Sequence, residues 1–234
     1  MKPVTAIITN YNQGKFFQTA LDSIIKQTYS PEQLIVVDDC STDDSRKIIS
    51  RSLEDTKGLP PIINTVFRDT NGKPAGARNS GIKEAIGDII AFLDVDDFYY
   101  PTKIEESVKL LEEDPIIGLV YSDYDVYDTI KNKHLREFKH PYNYQLLWQT
   151  CIVSTNSIIK KEVFDKVGLF DERFFGTEDY NLWLRIARHY MIRHIPKPLF
   201  CYRLHGQNIT MTRAQEMAQE IQVWKRELLN AKHP

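Results

Sequence analysis

Cysteine is scarce in this chain, and its three copies, Cys40, Cys151 and Cys201, stand too far apart for a metal-ligand spacing. An odd, scattered set excludes a disulfide framework and reads as reduced and cytosolic. Long apolar runs are missing too: nothing approaches the roughly 18–20 residues that cross a bilayer. Met1-Lys2-Pro3 leads at once into Val4-Thr5-Ala6-Ile7-Ile8, too short a start for a signal peptide, so a cytoplasmic protein is expected. Neither sign of charge dominates, with 30 Lys and Arg against 32 Asp and Glu and a formal net charge of −2. That balance argues against a general binder of nucleic acid or of anionic membranes. No repeat, low-complexity tract or composition break divides the 234 residues. One domain is expected, able to bury roughly 70–75% of its unfolded surface without staples.

What is present is an alternation of apolar runs and polar strand ends. The most informative run is Ile89-Ile90-Ala91-Phe92-Leu93, which passes directly into Asp94-Val95-Asp96-Asp97. Five apolar residues suit a buried strand. Three acids in four positions at its end repel one another and need a partner. A divalent cation with an open side for a substrate phosphate is one such partner, and a solvated loop capping the next helix is the other.

Strand patterns recur at residues 4–9, 34–37 and 62–67, ahead of the one at residues 88–93. Between them Phe16, Phe17, Ala20, Leu21, Ile24 and Ile25 recur at helical spacing. Ser41 with Asp44 gives an N-cap signature for a helix burying Ile48, Ile49 and Leu53, and residues 77–86 predict a third helix. This βαβαβαβ order predicts a mostly parallel α/β sheet with helices on both faces. Ligands of such sheets bind beyond the carboxyl ends of the strands, which here gathers Thr9, Asp38, Asp39, Arg68 and the acids of residues 94–97 along one edge.

The second half reads as mixed: a helix opened by Pro101, a strand at 117–121 and a tyrosine-rich hairpin at 123–139. Further on come a short strand at 155–159, a helix at 178–189 and a late strand at 199–204. The last helix, residues 214–229, carries Met217, Ile221, Trp224 and Leu228 on one face. That stripe suits docking on the domain or a homodimer contact; with Lys225 and Arg226 beside it, the alternative is peripheral contact at the inner face of the membrane.

Four segments carry a resemblance: Ile8-Thr9-Asn10-Tyr11-Asn12, Val36-Val37-Asp38-Asp39-Cys40-Ser41-Thr42-Asp43, Ala77-Arg78-Asn79-Ser80-Gly81 and Phe92-Leu93-Asp94-Val95-Asp96-Asp97. In this order they resemble the inverting, nucleotide-sugar-dependent glycosyltransferases of family 2, which have the Rossmann-like GT-A fold. Val167-Gly168-Leu169-Phe170-Asp171-Glu172, Glu178-Asp179-Tyr180-Asn181-Leu182-Trp183-Leu184-Arg185 and Tyr202-Arg203-Leu204-His205 are similar to the family's second half. The resemblance implies a GT-A domain over residues 1–210, with a nucleotide-sugar half at 1–100 and an acceptor half at 101–210. Residues 211–234 then form a C-terminal amphipathic helix.

The resemblance also implies roles. A UDP-sugar would lose its diphosphate as an acceptor hydroxyl, on a saccharide or lipid-linked saccharide, attacks from the opposite face. Such transfer would serve cell-surface polysaccharide or glycolipid synthesis. Asp96 would ligate Mn²⁺ or Mg²⁺, and Asp94 would contact the ribose or share the metal. Asp97 would either support the metal-site acids from behind or cap a helix, and the cap is the favoured reading. Asp39 would accept from the uracil N–H, with Thr9 and Tyr11 lining the same pocket; capping is the alternative for Asp39. Arg78 would pair with phosphate or base, or lie on the surface. Asp179 matches the general base, kept ionised but weakly basic by its helix N-terminus, while Glu178 serves the helix dipole. Trp183 and Arg185 are expected in the core and on the surface. His205 would approach the diphosphate or metal, or be structural. The tryptophan motif of processive relatives is absent, which implies a single transfer per encounter. Tyr121, Tyr124, Tyr127, Tyr142, Tyr144 and Trp148 would stack on acceptor sugars or pack the hairpin.

Two other readings compete. A nucleotidyltransferase on a similar sheet would carry a Gly-rich loop with Arg and Lys where Asn10-Tyr11-Asn12-Gln13-Gly14 stands. A non-catalytic nucleotide-sugar binding module would not need Asp94, Asp96 and Asp179 intact.

Overall fold

The computed structural model describes residues 2–54 and 57–230, so the last four residues of the expected C-terminal helix lie outside the described residues. The first half follows the predicted alternation. β1 (Val4–Asn10), α1 (Phe17–Ile25), β2 (Gln33–Asp38), α2 (Ser45–Ser52), β3 (Ile62–Phe67), α3 (Lys73–Glu84) and β4 (Ile89–Asp94) succeed one another. The second half adds β5 (Phe98–Tyr99), α4 (Lys103–Glu113), β6 (Ile117–Asp128), β7 (Lys133–Glu137), α5 (Tyr144–Gln149) and β8 (Ile158–Lys160). It closes with α6 (Glu162–Val167), α7 (Glu178–Ile186), β9 (Met191–Leu204), the short α8 (Ile209–Thr212) and α9 (Ala214–Asn230).

Among the described residues the strands form one sheet in the order β3-β2-β1-β4-β8-β6-β9-β5, with β7 paired to β6 beside that path. β1 runs parallel to β2 and β4, β2 to β3, and β6 to β9; β8, β5 and β7 pair antiparallel. The period-two alternation of β1 divides the core between the faces. Ile7 and Phe92 pack on one side with side chains of α3, α6, α7 and α9, and Ala6, Ile8 and Leu93 on the other with those of α1, α2 and α4. Each fully buried aliphatic or aromatic residue adds roughly 1.5–3 kcal/mol.

Several elements differ from expectation. Helix α3 begins at Lys73, with Pro74 in its first turn, and a Cβ on Gly81 would stand 2.6 Å from Ile7 Cγ2. That close approach to β1 lays α3 low on the sheet, within reach of the strand ends. Helix α2 begins after Asp44, not Ser41: Ser45 N–H donates to Asp43 Oδ1, while Ser41 is taken up by Asn10 and Asn12. Strand β9 is far longer than residues 199–204, because its irregular register against β6 leaves Pro196 and Lys197 in a bulge between the Ser122–Ile195 and Asp123–Pro198 pairings.

The tail resolves in favour of docking. Trp224 is fully buried, edge-on to Tyr180 at 5.0 Å, and its indole N–H donates to Thr177 Oγ1; Leu228 is buried beside it. Lys225 donates to the Trp148 carbonyl at 2.5 Å. The Met217-Ile221-Trp224-Leu228 stripe is thereby committed to its own domain.

Candidate functional site

The carboxyl ends of β1, β2 and β4 meet at one edge because their registers align Thr9 with Asp94 and Asn10 with Asp38. A cavity of about 590 Å³ opens there, a size suited to a small-molecule ligand. Thr9, Tyr11, Asp39, Arg78, Asp94, Asp96 and Asp179 all line it. His205 does not line it, and sits behind Asp96.

The electrostatic hub is Arg78, 4% exposed and thus no surface arginine. Its guanidinium forks onto Asp94 at 2.8 and 3.0 Å and reaches Glu178 Oε1 at 2.8 Å. Burial alone would favour losing its proton, but Asp94, Glu178 and Asp179 outweigh that and hold it firmly charged. Thr9 Oγ1 donates to Asp94 Oδ1 at 3.0 Å, and Gly176 N–H donates to Glu178 Oε2 at 2.6 Å. Glu178 is therefore a buried ion-pair partner and not merely a dipole acid. Thr9 touches Asp94 while lining the cavity.

The acids of residues 38 and 39 divide their work. Asp38 accepts from Asn10, Ser41 N–H and Arg46, and these bonds hold its carboxyl below the usual range although burial opposes them. It pins the loop. Asp39 faces the cavity: Gly72 N–H donates to both oxygens, at 2.9 and 3.1 Å, and Arg68 Nε stands 2.8 Å from Oδ1. Burial nevertheless raises its pKa. It is not the N-cap residue of either α2 or α3, whose N-caps are Asp44 and Gly72.

Asp97 contradicts the capping expectation. It is 1% exposed, accepts from Asn156 Nδ2 at 2.5 Å and from Arg203 N–H at 2.9 Å, and α4 starts only after Thr102. Burial, then Asp96 and Asp94, push its pKa well above its ordinary value. The reason is tertiary: the chain after Asp97 enters β5, whose pairing with β9 seals the acid inside. Asn156 also accepts from Asp94 N–H at 3.1 Å, so one buried amide braces both ends of the acidic turn. Sequence reasoning missed Asn156; its only signal is the polar Ser154-Thr155-Asn156-Ser157 tract ahead of an apolar strand.

Asp96 stays partly exposed, with Oδ2 3.0 Å from His205 Nε2. His205 is buried against Phe16, with ring centroids 5.4 Å apart, and its Nδ1 has no hydrogen-bond partner. Arg203, stacked over Phe16 and Phe98, donates to the Asp96 carbonyl at 2.8 Å. Among the described residues no three His, Cys, Asp or Glu side chains form a complete ligand set. The 3.0 Å separation of Asp96 and His205 is that of a direct hydrogen bond between the two side chains.

Asp179 opens α7 and accepts from Tyr180 N–H at 2.6 Å. Burial and then the Glu178 charge raise its pKa to about 7, against the opposing pull of Arg78. Burial thus overrides the helix N-terminus, and Asp179 is a stronger base than its position alone predicts. Arg185 is likewise not a surface residue: its guanidinium donates to the carbonyls of Val167, Gly168 and Leu169. Of the hairpin aromatics, Tyr121 is fully buried and stacked on His194, Tyr124 packs on Phe200, and Tyr127 stacks on His134. These rings pack the hairpin.

The glycosyl transferase family 2 model matches residues 5–168. The chain belongs to glycosyl transferase family 2. Family 2 relatives include an uncharacterized glycosyltransferase of Rickettsia felis, 33% identical over 206 residues that cover 87% of this chain and 33% of that protein. The chain thus spans about a third of that relative's length. A second is the UDP-Glc:alpha-D-GlcNAc-diphosphoundecaprenol beta-1,3-glucosyltransferase WfaP of Escherichia coli, 28% identical over 236 residues, covering 100% of this chain and 90% of that protein. The mannosyltransferase PcManGT of Pyrobaculum calidifontis, solved with GDP-Man and Mn²⁺, superposes with a TM-score of 0.77 at 23% identity, covering 100% of this chain and 66% of that one. Staphylococcus aureus TarS 1-349 with UDP-GlcNAc superposes with a TM-score of 0.76 at 19% identity, covering 99% and 67%. These likenesses establish the GT-A glycosyltransferase fold.

Proposed function

We propose that this chain is an inverting glycosyltransferase that moves a sugar from a UDP-sugar to an acceptor hydroxyl. The observation that carries the reading is a base-poised Asp179 in the same cavity as Asp39 and the Asp94–Asp96 edge. Asp39 accepts from the uracil N–H, and Arg68 and Gly72 hold it in place. Thr9 and Tyr11 line the base and ribose, and Asp94, held by Arg78, meets the ribose. Asp96 and His205 hold a divalent cation, Mn²⁺ or Mg²⁺, which when bound neutralises charge on the departing diphosphate. Asp179 takes the proton of the attacking hydroxyl, and attack from the face opposite the diphosphate inverts the anomeric carbon.

The E. coli relative's name, which specifies a diphosphoundecaprenol-linked acceptor, supports a lipid-linked saccharide as acceptor and a role in cell-surface polysaccharide or glycolipid synthesis. No described helix is long and apolar enough to cross a membrane, so a cytoplasmic protein that meets its acceptor peripherally, at the inner membrane face, fits the reading. The test is transfer from a panel of UDP- and GDP-sugars to a synthetic GlcNAc-diphospho-lipid, with the product's anomeric configuration read by NMR. An inverted linkage from a UDP-sugar is expected. A retained anomer, or turnover confined to GDP-sugars, contradicts the proposal.

A further inference from the structure

The balanced net charge of the chain conceals a strongly cationic and apolar hairpin. Residues 130–140 hold Lys131, Lys133, Arg136 and Lys139 against the single acid Glu137, whereas the whole chain is net negative at −2. The same stretch exposes Ile130 by 70%, Leu135 by 49% and Phe138 by 71%. Lys131 and Arg136 lean on Asp128 and Asp125 at 3.7 and 3.0 Å yet remain largely in solvent, and Lys139 lies over the Tyr124 ring.

The hairpin is built and held. Asp128 Oδ1 accepts from the Ile130 and Lys131 N–H groups, tying the tip. Tyr127 donates to Asn132 across it at 3.0 Å. Asp123 Oδ1 accepts from Lys139 N–H and stands 2.8 Å from His194 Nε2, anchoring the return arm to β9. β7 pairs only with β6 and is exposed along its whole length. Charges alone would be the ordinary protection of such an edge. Exposed Ile, Leu and Phe among those charges are the reverse of protection. That combination suits an interface of anionic headgroups over acyl chains.

The tip also stands at the cavity mouth. A Cβ on Gly206 would lie 3.3 Å from Ile130 Cδ1, and the next residues, Gln207 and Asn208, line the cavity. We propose that the β6–β7 hairpin docks this protein on an anionic phospholipid bilayer, Phe138, Leu135 and Ile130 entering the headgroup layer and the lysines meeting lipid phosphates. The cavity mouth then faces the surface in which a lipid-linked acceptor is held. Docking does not depend on transfer, and it is measured without donor or metal.

The experiment is co-sedimentation of the full chain with vesicles of phosphatidylglycerol and phosphatidylcholine, or of phosphatidylcholine alone, at low and high salt. Binding to the anionic vesicles that falls with salt is expected, with little binding to the neutral ones. K131E/K133E and L135S/F138S should each weaken it by on the order of tenfold or more, with circular dichroism and UDP binding unchanged. Arg226→Glu, at an exposed position on α9, should leave vesicle binding intact. Failure to bind anionic vesicles, or binding that survives both hairpin variants, overturns the proposal. So does loss of binding through the α9 variant alone. Self-association through the β7 edge, seen as hairpin-dependent dimers in velocity sedimentation without vesicle binding, likewise overturns it.

Discussion

Arg78 grips Asp94 through two hydrogen bonds of 2.8 and 3.0 Å, joining helix α3 to the end of strand β4. The same side chain carries Glu178, so one cation balances acids from both halves of the chain. Substituting Arg78 by Met should leave two acids without their partner and cost about 3–5 kcal/mol of stability. Thermal denaturation reads this directly. Arg78→Lys should recover only part of it, because an ammonium cannot fork onto a carboxylate and reach a second acid in the same geometry.

Asp179 has a folded pKa raised from the ordinary value of 3.8 to about 7. Transfer should therefore fall as pH drops through about 7, since the base must be ionised to accept a proton. Asp179→Asn should lower transfer by on the order of 10²-fold or more and abolish that limb while UDP binding persists. Stability moves the other way. The raised pKa means that the Asp179 contribution is fully present below about pH 4 and is lost as pH rises through about 7. The Asn variant should accordingly lose less stability than wild type between pH 5 and 8, as denaturant melts at several pH values would show.

Asn156 bridges Asp94 N–H and the buried Asp97. Asn156→Ala should cost about 1–3 kcal/mol for each group left unpaired and loosen the acidic turn. A lower melting temperature together with weaker UDP binding is expected.

Trp224 seals the C-terminal helix against Tyr180. Trp224→Ala should cost about 3–5 kcal/mol, and α9 should become open to limited proteolysis. A protease-resistant α9 in that variant would mean that the docking rests on other contacts.

The strand ends were readable in the sequence because the buried runs of β1, β2 and β4 close on polar residues, and the parallel pairing of β1 to β4 follows from the strand–helix alternation. Local reading failed where long-range pairing decides. Asp97 looks like a cap until β5 pairs with β9 around it. Glu178 looks like a dipole acid until Arg78, a hundred positions earlier, meets it. The late strand read at residues 199–204 extends back to Met191 because a bulge against β6 accommodates its prolines. His205 and Asp96 were proposed together by resemblance, and the fold brings them to 3.0 Å.

The proposed function requires a divalent ion at Asp96, with His205 behind it, to bind together with a nucleotide diphosphate in the cavity that Asp39, Asp94 and Asp96 line. Calorimetric titration of UDP with Mn²⁺ present, and again with EDTA, tests it most directly. Binding should be tight with the metal and much weaker without it, and the difference should vanish in Asp96→Ala. Equal affinity for UDP in Mn²⁺ and in EDTA would contradict it.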